Sequence, residues 1–409
     1  MSAWRLRAAL AVAALGLPGA ISAQGLGLFE ALERAPVSLV GRVGAPRALD
    51  DQAFGVEIEV ESVLQGPLSR GARLSLAWEE LSPARPARFA AGERLLVCLE
   101  PLPAHSIWAV RIPDPELRAR TLTLASRGEA FVRDPRPGSL RLLEHYLALP
   151  AERRAGDPGV AHLALLAAGA RTRLAVEAVA QLARVPDLDV ALDPASAERL
   201  VAVLVGEDDE LGDAVLGLLR TRRPAPLRPA LARLATDDGA GPARAYAGLA
   251  ALDGSLPATL AGALLARDDS PAHRRIGARH ADASLHSRLP RLLRADPDPG
   301  VRAAALERLV ESDGLAALDR VLFALDDEDA SVRATAMQAI GGLGEPAVPE
   351  LRAVVEHGSL EAARTAVGAL QACGDAGARA LREIADSHPD PSLRLLAQVA
   401  IGRPIGHRH

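Results

Sequence analysis

Asp296-Pro-Asp-Pro-Gly-Val-Arg-Ala-Ala-Ala-Leu306 is followed, after a second apolar helical pattern, by Asp327-Glu-Asp-Ala-Ser-Val-Arg-Ala-Thr-Ala-Met337. The pair Val301-Arg302 of the first copy returns as Val332-Arg333, 31 positions later. Self-similarity at that period marks stacked helical hairpins, in which each repeat buries the apolar face of its neighbour. A stack of this kind presents an extended surface, so the stretch sets an expectation of holding something rather than of chemistry.

Outward from this pair the ladder continues. Arg244, Arg274, Arg302, Arg333, Ala363 and Arg394 fall at intervals of 30, 28, 31, 30 and 31. Leu174–Leu182 and Leu211–Leu219 read as earlier members with looser spacing. About seven or eight hairpins result, more than the three or so that such an array needs. Asp298, Asp329 and Asp390 stand where helices begin, and Ser270 holds the same place. Their oxygens can accept from free N–H groups of the first turn, where a carboxylate also suits the helix dipole. Pro271, Pro299 and Pro391 occupy the first helical position, where a missing N–H costs nothing. Arg274, Arg302, Arg333 and Arg394 each lie four residues after their cap, from which a guanidinium could reach the cap acid of its own or an adjacent repeat. Val332, Ala336 and Ile340 predict a buried stripe, matched by Ala366 and Leu370 in the next repeat. Gly344 and Gly374 stand where equivalent helices should end.

The Asp…Val-Arg-x-x-Ala pattern resembles the HEAT-like repeat family in its short bacterial form. That resemblance implies an α-solenoid over residues 159–403 that binds a protein or peptide partner along its concave face. A branch of similar short repeats belongs to phycobilin lyases, which leaves a chromophore lyase as one alternative. The candidate stack and binding ladder is Arg244, Arg274, Asp298, Arg302, Asp329, Arg333, Asp390 and Arg394.

The chain starts differently. Arg5 and Arg7 precede an apolar run from Ala8 to Leu17, Pro18-Gly19 breaks it, and Ile21-Ser-Ala23 offers small and aliphatic residues for cleavage. This is the layout of a secretory signal peptide over residues 1–23, cut after Ala23, with a retained anchor as the rival. A secreted or periplasmic location follows as the expectation, without membrane insertion after cleavage.

Between residues 36 and 135 the period changes to two. Val56, Ile58 and Val60 alternate with Glu57, Glu59 and Glu61, a half-buried strand with a solvated acidic face. Ser38–Val43, Leu74–Trp78, Leu95–Leu99 and Ile107–Ile112 read as further strands, and Thr121–Leu124 with Ala130–Val132 as a closing hairpin. Short strands at this density predict a small barrel or sandwich, with Trp78, Trp108 and Cys98 in its core. The run Val-Gly-Arg-Val, a long strand ending Val63-Leu-Gln-Gly66, then Gly92-Glu-Arg-Leu-Leu-Val resembles the OB-like barrel of netrin-type domains. The cysteines of the inhibitor branch are missing, so protease inhibition is not implied. Residues 136–158 read as a linker helix and 404–409 as a disordered tail.

The expected fold is therefore multidomain: a small β-barrel or sandwich, then an all-α solenoid of HEAT-like hairpins. Aromatics make up 2% of the 409 residues and the net charge is −5, and there is no basic stripe of the kind nucleic acid requires. Lysine is absent, which excludes a P-loop, and neither a Gly-x-Ser-x-Gly elbow nor His-Glu-x-x-His is present. The acids at 296–298 and 326–329 lack the central glycine and distal glutamate of a calcium loop. His273, His280 and His286 match no zinc spacing, and Cys98 and Cys373 read as separate buried thiols. No catalytic, cofactor or metal residue is expected. The sequence points to a non-catalytic, extracytoplasmic protein-binding scaffold, with a structural cell-envelope role or a bilin lyase as alternatives.

Overall fold

A computed structural model describes residues 27–50, 53–79, 89–102, 106–125, 130–170, 172–236 and 238–402. The expected signal peptide and C-terminal tail lie outside the described residues. The chain divides into two compact units, 1–231 and 232–409.

In the first unit the strands are β1 (Val37–Val43), β2 (Arg47–Ala48), β3 (Ala53–Gln65), β4 (Arg73–Glu79), β5 (Arg94–Pro101), β6 (Thr121–Leu124) and β7 (Phe131–Arg133). β1 pairs with both β3 and β5, so the order β1–β3–β4–β6–β5 closes on itself as a five-strand barrel. Only β4 and β6 run parallel among these pairs. Closure leaves no open edge within the ring. Val56, Ile58 and Val60 point inward with Leu39, Leu76, Leu95, Val97 and Leu99, whereas Glu57 and Glu59 are exposed. At Gly41, beside a bulge in β1, a Cβ would stand 2.4 Å from Ile58 Cγ2, so only glycine lets the two strands approach. Outside the wall, Glu61 of β3 accepts from Arg42 of β1 at 3.0 Å and from Arg94 of β5 at 2.6 Å. One carboxylate thereby ties three neighbouring strands.

Three local expectations need correction. Residues 107–112 form no strand; Ser106–Arg111 is a helix. Trp108 and Ile112 are buried while Ile107 and Val110 are exposed, the spacing of a helix rather than of a strand. Trp108 accordingly sits outside the barrel core, in a small cluster with Ala53, Ala77 and Ile112, and the Arg111 guanidinium lies 5.2 Å from its ring. Asp50 and Glu79 accept from that guanidinium and fix the helix to the wall. The strands at 121–124 and 131–133 are present, but they do not pair as a hairpin. Both lie along the edge of β5 that faces away from β1, one at each end. Trp78 is buried as expected, in an aromatic row with Phe54, Phe89 and Phe131.

The rest of this unit is helical, with helices including Pro137–Ala148, Asp157–Gly169, Thr172–Leu182, Pro194–Leu204 and Asp209–Arg222. A short helix ahead of the barrel, Leu28–Arg34, docks on them: Phe29 meets Tyr146 edge to face at 5.4 Å, and Glu177 accepts from the Leu28 amide at 3.2 Å. Its apolar pairs Leu28-Phe29 and Ala31-Leu32 are all buried, at helical spacing.

In the second unit the second helices of successive hairpins, Pro271–Arg279, Pro299–Asp313, Ala330–Gly341, Leu360–Ala372 and Pro391–Gly402, pack one on the next. Leu289–Ala295, Val348–His357 and Gly374–Ser387 are first helices; between residues 314 and 326 that element breaks into a short helix flanked by 3-10 turns. Val332, Ala336, Ile340, Ala366 and Leu370 are fully buried, as the stripe predicts. Small residues set the spacing between layers: a Cβ at Gly341 would meet the Ala369 carbonyl at 2.8 Å. Gly344 and Gly374 adopt φ of 77° and 67°, the left-handed region that glycine enters freely.

Candidate functional site: the arginine–aspartate ladder

The caps form largely as the sequence requires. Asp298 accepts from the Val301 amide at 3.0 Å, Asp329 from Ser331 at 2.8 Å and Asp390 from Ser392 at 2.7 Å. Hydrogen bonds from the Ser331 and Ser392 hydroxyls hold the Asp329 and Asp390 carboxyls below the usual range. Ser270 occupies the cap position without capping. Its hydroxyl is 2.6 Å from His273 Nδ1, and His273 Nε2 lies 2.8 Å from the Gly241 carbonyl, which joins that helix to the preceding loop.

The arginines do not reach the cap acids. Arg274 donates through Nε and Nη2 to both oxygens of Asp296, at 2.8 and 2.9 Å. Arg302 does the same to Asp327, at 3.0 and 2.8 Å. Each of these aspartates stands two residues before the cap of the following repeat, and its Oδ1 also accepts the amide of that cap residue, at 3.0 Å for Asp298 and 2.9 Å for Asp329. The remaining nitrogen, Nη1, turns back to carbonyls of its own repeat: Arg267 and Asp268 for Arg274, Asp296 and Pro297 for Arg302. One planar guanidinium thus fastens the entry of its own helix and, through a two-pronged pair, the entry of the next. Arg274 and Asp296 are 5% and 4% exposed at their side chains, Arg302 and Asp327 7% and 8%. The aspartate bonds hold both guanidiniums above their ordinary pKa.

The rungs then change. Arg333 keeps its bonds to the Asp327 and Glu328 carbonyls, but the position two before the next cap, Ser359, is His357, and Arg333 approaches Glu361 at 4.0 Å instead. Arg394 bonds the His388 and Pro389 carbonyls. His388 takes the aspartate's place, its Nδ1 accepting the Asp390 amide at 3.1 Å. Arg244 lies half-buried in the first turn of the helix Ala243–Asp253. Sequence reasoning named the arginines and missed Asp296 and Asp327 as their partners; the signal was the aspartate two residues ahead of the caps at 270, 298 and 329.

A Ser-His-Asp juxtaposition is present at Ser312, His286 and Asp313. Asp313 lies 2.9 Å from His286 Nε2 and also pairs with Arg320. The Ser312 hydroxyl, however, donates to the Arg308 carbonyl at 2.7 Å and stands 3.5 Å from His286 Nδ1. Its proton is committed to the helix, so this is a helix-end clasp and not an activated nucleophile. Among the described residues no group of three or more His, Cys, Asp or Glu is placed to hold a metal, and no helix is long and apolar enough to cross a membrane.

Beside the buried ladder, the second helices carry an outward column. Arg279 pairs with Glu307 of the next repeat at 2.9 Å, and the matching positions onward are Gln338, Gly368 and Val399. One turn earlier stand Ala303, Ala334, Arg364 and Leu395. Leu395 and Val399 are 62% and 47% exposed. This column is mixed in charge and turns apolar toward residue 399.

No curated protein is significantly similar to the chain. The family model for HEAT repeats matches residues 318–402. Those residues are HEAT repeats, carried by the largely helical region that follows a five-strand β-barrel.

Proposed function

We propose that the chain is a non-catalytic scaffold that holds a protein partner on the outward column of its second helices. HEAT repeats commonly mediate protein binding. The observation that carries the reading is the division of labour along the stack. Arg274 and Arg302 are consumed in buried pairs that fix helix spacing, whereas farther along the stack Ala334, Gln338, Leu395 and Val399 remain exposed at matching positions of alternate second helices. Rigid placement of exposed, partly apolar side chains is what a binding surface needs. The double variant Leu395→Asp/Val399→Asp, with an unchanged circular dichroism spectrum, tests it. Cross-linking with mass spectrometry should recover a partner with the wild type and lose it with this variant; equal recovery contradicts the proposal.

We further infer an extracytoplasmic site of action. The support is the leader: Arg5 and Arg7, the apolar run Ala8–Leu17 and the small residues ending at Ala23. Amino-terminal sequencing of the protein from its native host should begin at Gln24. An intact leader in the membrane fraction would replace secretion with anchoring.

A further inference from the structure

The helix Leu289–Ala295 and the 3-10 turn His286–Arg288 leading into it carry Arg288, Arg291 and Arg294 three residues apart, all exposed. Residues three apart on a helix are surface neighbours, so the row extends over about 9 Å on one side. Among the described residues neither Arg288 nor Arg291 has an ion-pair partner. Arg294 lies 4.7 Å from the ring of Phe323, which is itself 37% exposed. Residues 271–295 hold six arginines, of which Arg274 and Arg279 are already paired with Asp296 and Glu307, against the single carboxylate of Asp282, although the whole chain has a net charge of −5.

We propose that this row is a docking site for a short acidic peptide segment of a partner protein, with Phe323 taking an apolar residue beside the carboxylates. The inference rests on the protein-binding reading and names the chemistry of the partner. Guanidinium groups take carboxylates in two-pronged pairs, as Arg274 takes Asp296 within this chain. The patch is also short. At matching positions the preceding repeat offers Ala263 and Ala266, and the following one offers Arg320, already paired with Asp313, next to exposed Asp319. Residues 296–329 carry ten carboxylates against three arginines. A nucleic acid or an anionic membrane needs positive potential that continues across the surface; an acidic segment of a few residues needs only this row.

The test is fluorescence anisotropy of a labelled oligoglutamate peptide titrated with the full chain at low and physiological salt. Saturable binding that weakens with salt is expected, and Arg288→Glu/Arg291→Glu should weaken it by about tenfold or more. Arg382→Glu, exposed on the helix Gly374–Ser387, should leave it unchanged. If Glu substitution disturbs the fold, Arg288→Gln/Arg291→Gln serves instead, with the same direction expected. Absence of peptide binding, or equal binding by the variants, overturns the proposal. So does arginine-dependent sedimentation with phosphatidylglycerol vesicles in the absence of peptide binding, which would make the row a lipid-headgroup site. Because these substitutions lie off the outward column, their failure would leave the Leu395/Val399 test standing.

Discussion

Arg302 illustrates why the residues that first suggest a site are better understood as supports. Its guanidinium is taken out of water together with Asp327, and the pair is tolerable only because the remaining donors find the Asp296 and Pro297 carbonyls. Removing one partner therefore leaves a buried charge without its counter-charge. Arg302→Met should destabilise the second unit by about 3–5 kcal/mol, and adding Asp327→Leu should recover most of the loss. The described tryptophans, Trp78 and Trp108, lie in the first unit, so hydrogen exchange over residues 271–357 is the appropriate measurement. Equal destabilisation by the single and double variants would contradict the pairing. The two cysteines make a second residue-scale prediction. Burial pushes the thiols of Cys98 and Cys373 up to about 11 and no disulfide joins them. A thiol reagent at mildly alkaline pH should leave the native protein unmodified and label both cysteines once it is unfolded.

Elements are held at their spacing by what glycine omits. A Cβ at Gly277 would stand 2.7 Å from the Ala261 carbonyl and 2.9 Å from Leu265, so Gly277→Ala should cost about 1–3 kcal/mol. Gly262, mid-helix with its nearest contact at 3.5 Å, has room, and Gly262→Ala should stabilise by about 0.5–1 kcal/mol through helix propensity. Paired melting curves check both signs. In the barrel, the hydrogen bond from Arg94 holds the Glu61 carboxyl below its ordinary 4.5. A depressed folded-state value means that this stabilisation is complete above about pH 4.5 and is lost as pH falls through the lower folded value. Glu61→Gln should therefore lower the melting temperature of the barrel at neutral pH, read by tryptophan fluorescence, and remove that part of its acid sensitivity. The contribution is about 1 kcal/mol or less because the group is partly exposed. Much of this level was legible in the sequence: the alternation at 56–60, the Asp-Pro helix starts and the Val332-Ala336-Ile340 stripe each impose a single periodicity. Residues 107–112 were not, because Ile-Trp-Ala-Val-Arg-Ile satisfies both strand and helix patterns, and the choice falls to long-range contacts with Ala53 and Ala77. The partners of Arg274 and Arg302 were hidden for a related reason. Asp296 and Asp298 are two residues apart and of the same residue type, and only the packing of layers decides which one meets a guanidinium.

For the whole molecule, the barrel and the helical repeats supply different things. The first unit closes its sheet upon itself, and its Glu57–Glu61 row is solvated or tied to arginine rather than assembled into a site. The second unit spends its strongest electrostatics internally and leaves on its surface the column through Ala334 and Val399 and the arginine row at 288–294. The sequence offered the repeat and its spacing but not this division, since burial separates a structural arginine from an exposed one of the same type. The central claim is that partner binding belongs to the exposed second-helix surface. Hydrogen-exchange mass spectrometry on the full chain, with and without the partner recovered by cross-linking, tests it most directly. The account predicts added protection in 330–341, 360–372 and 391–402; protection confined to the barrel strands at 37–133 would contradict it.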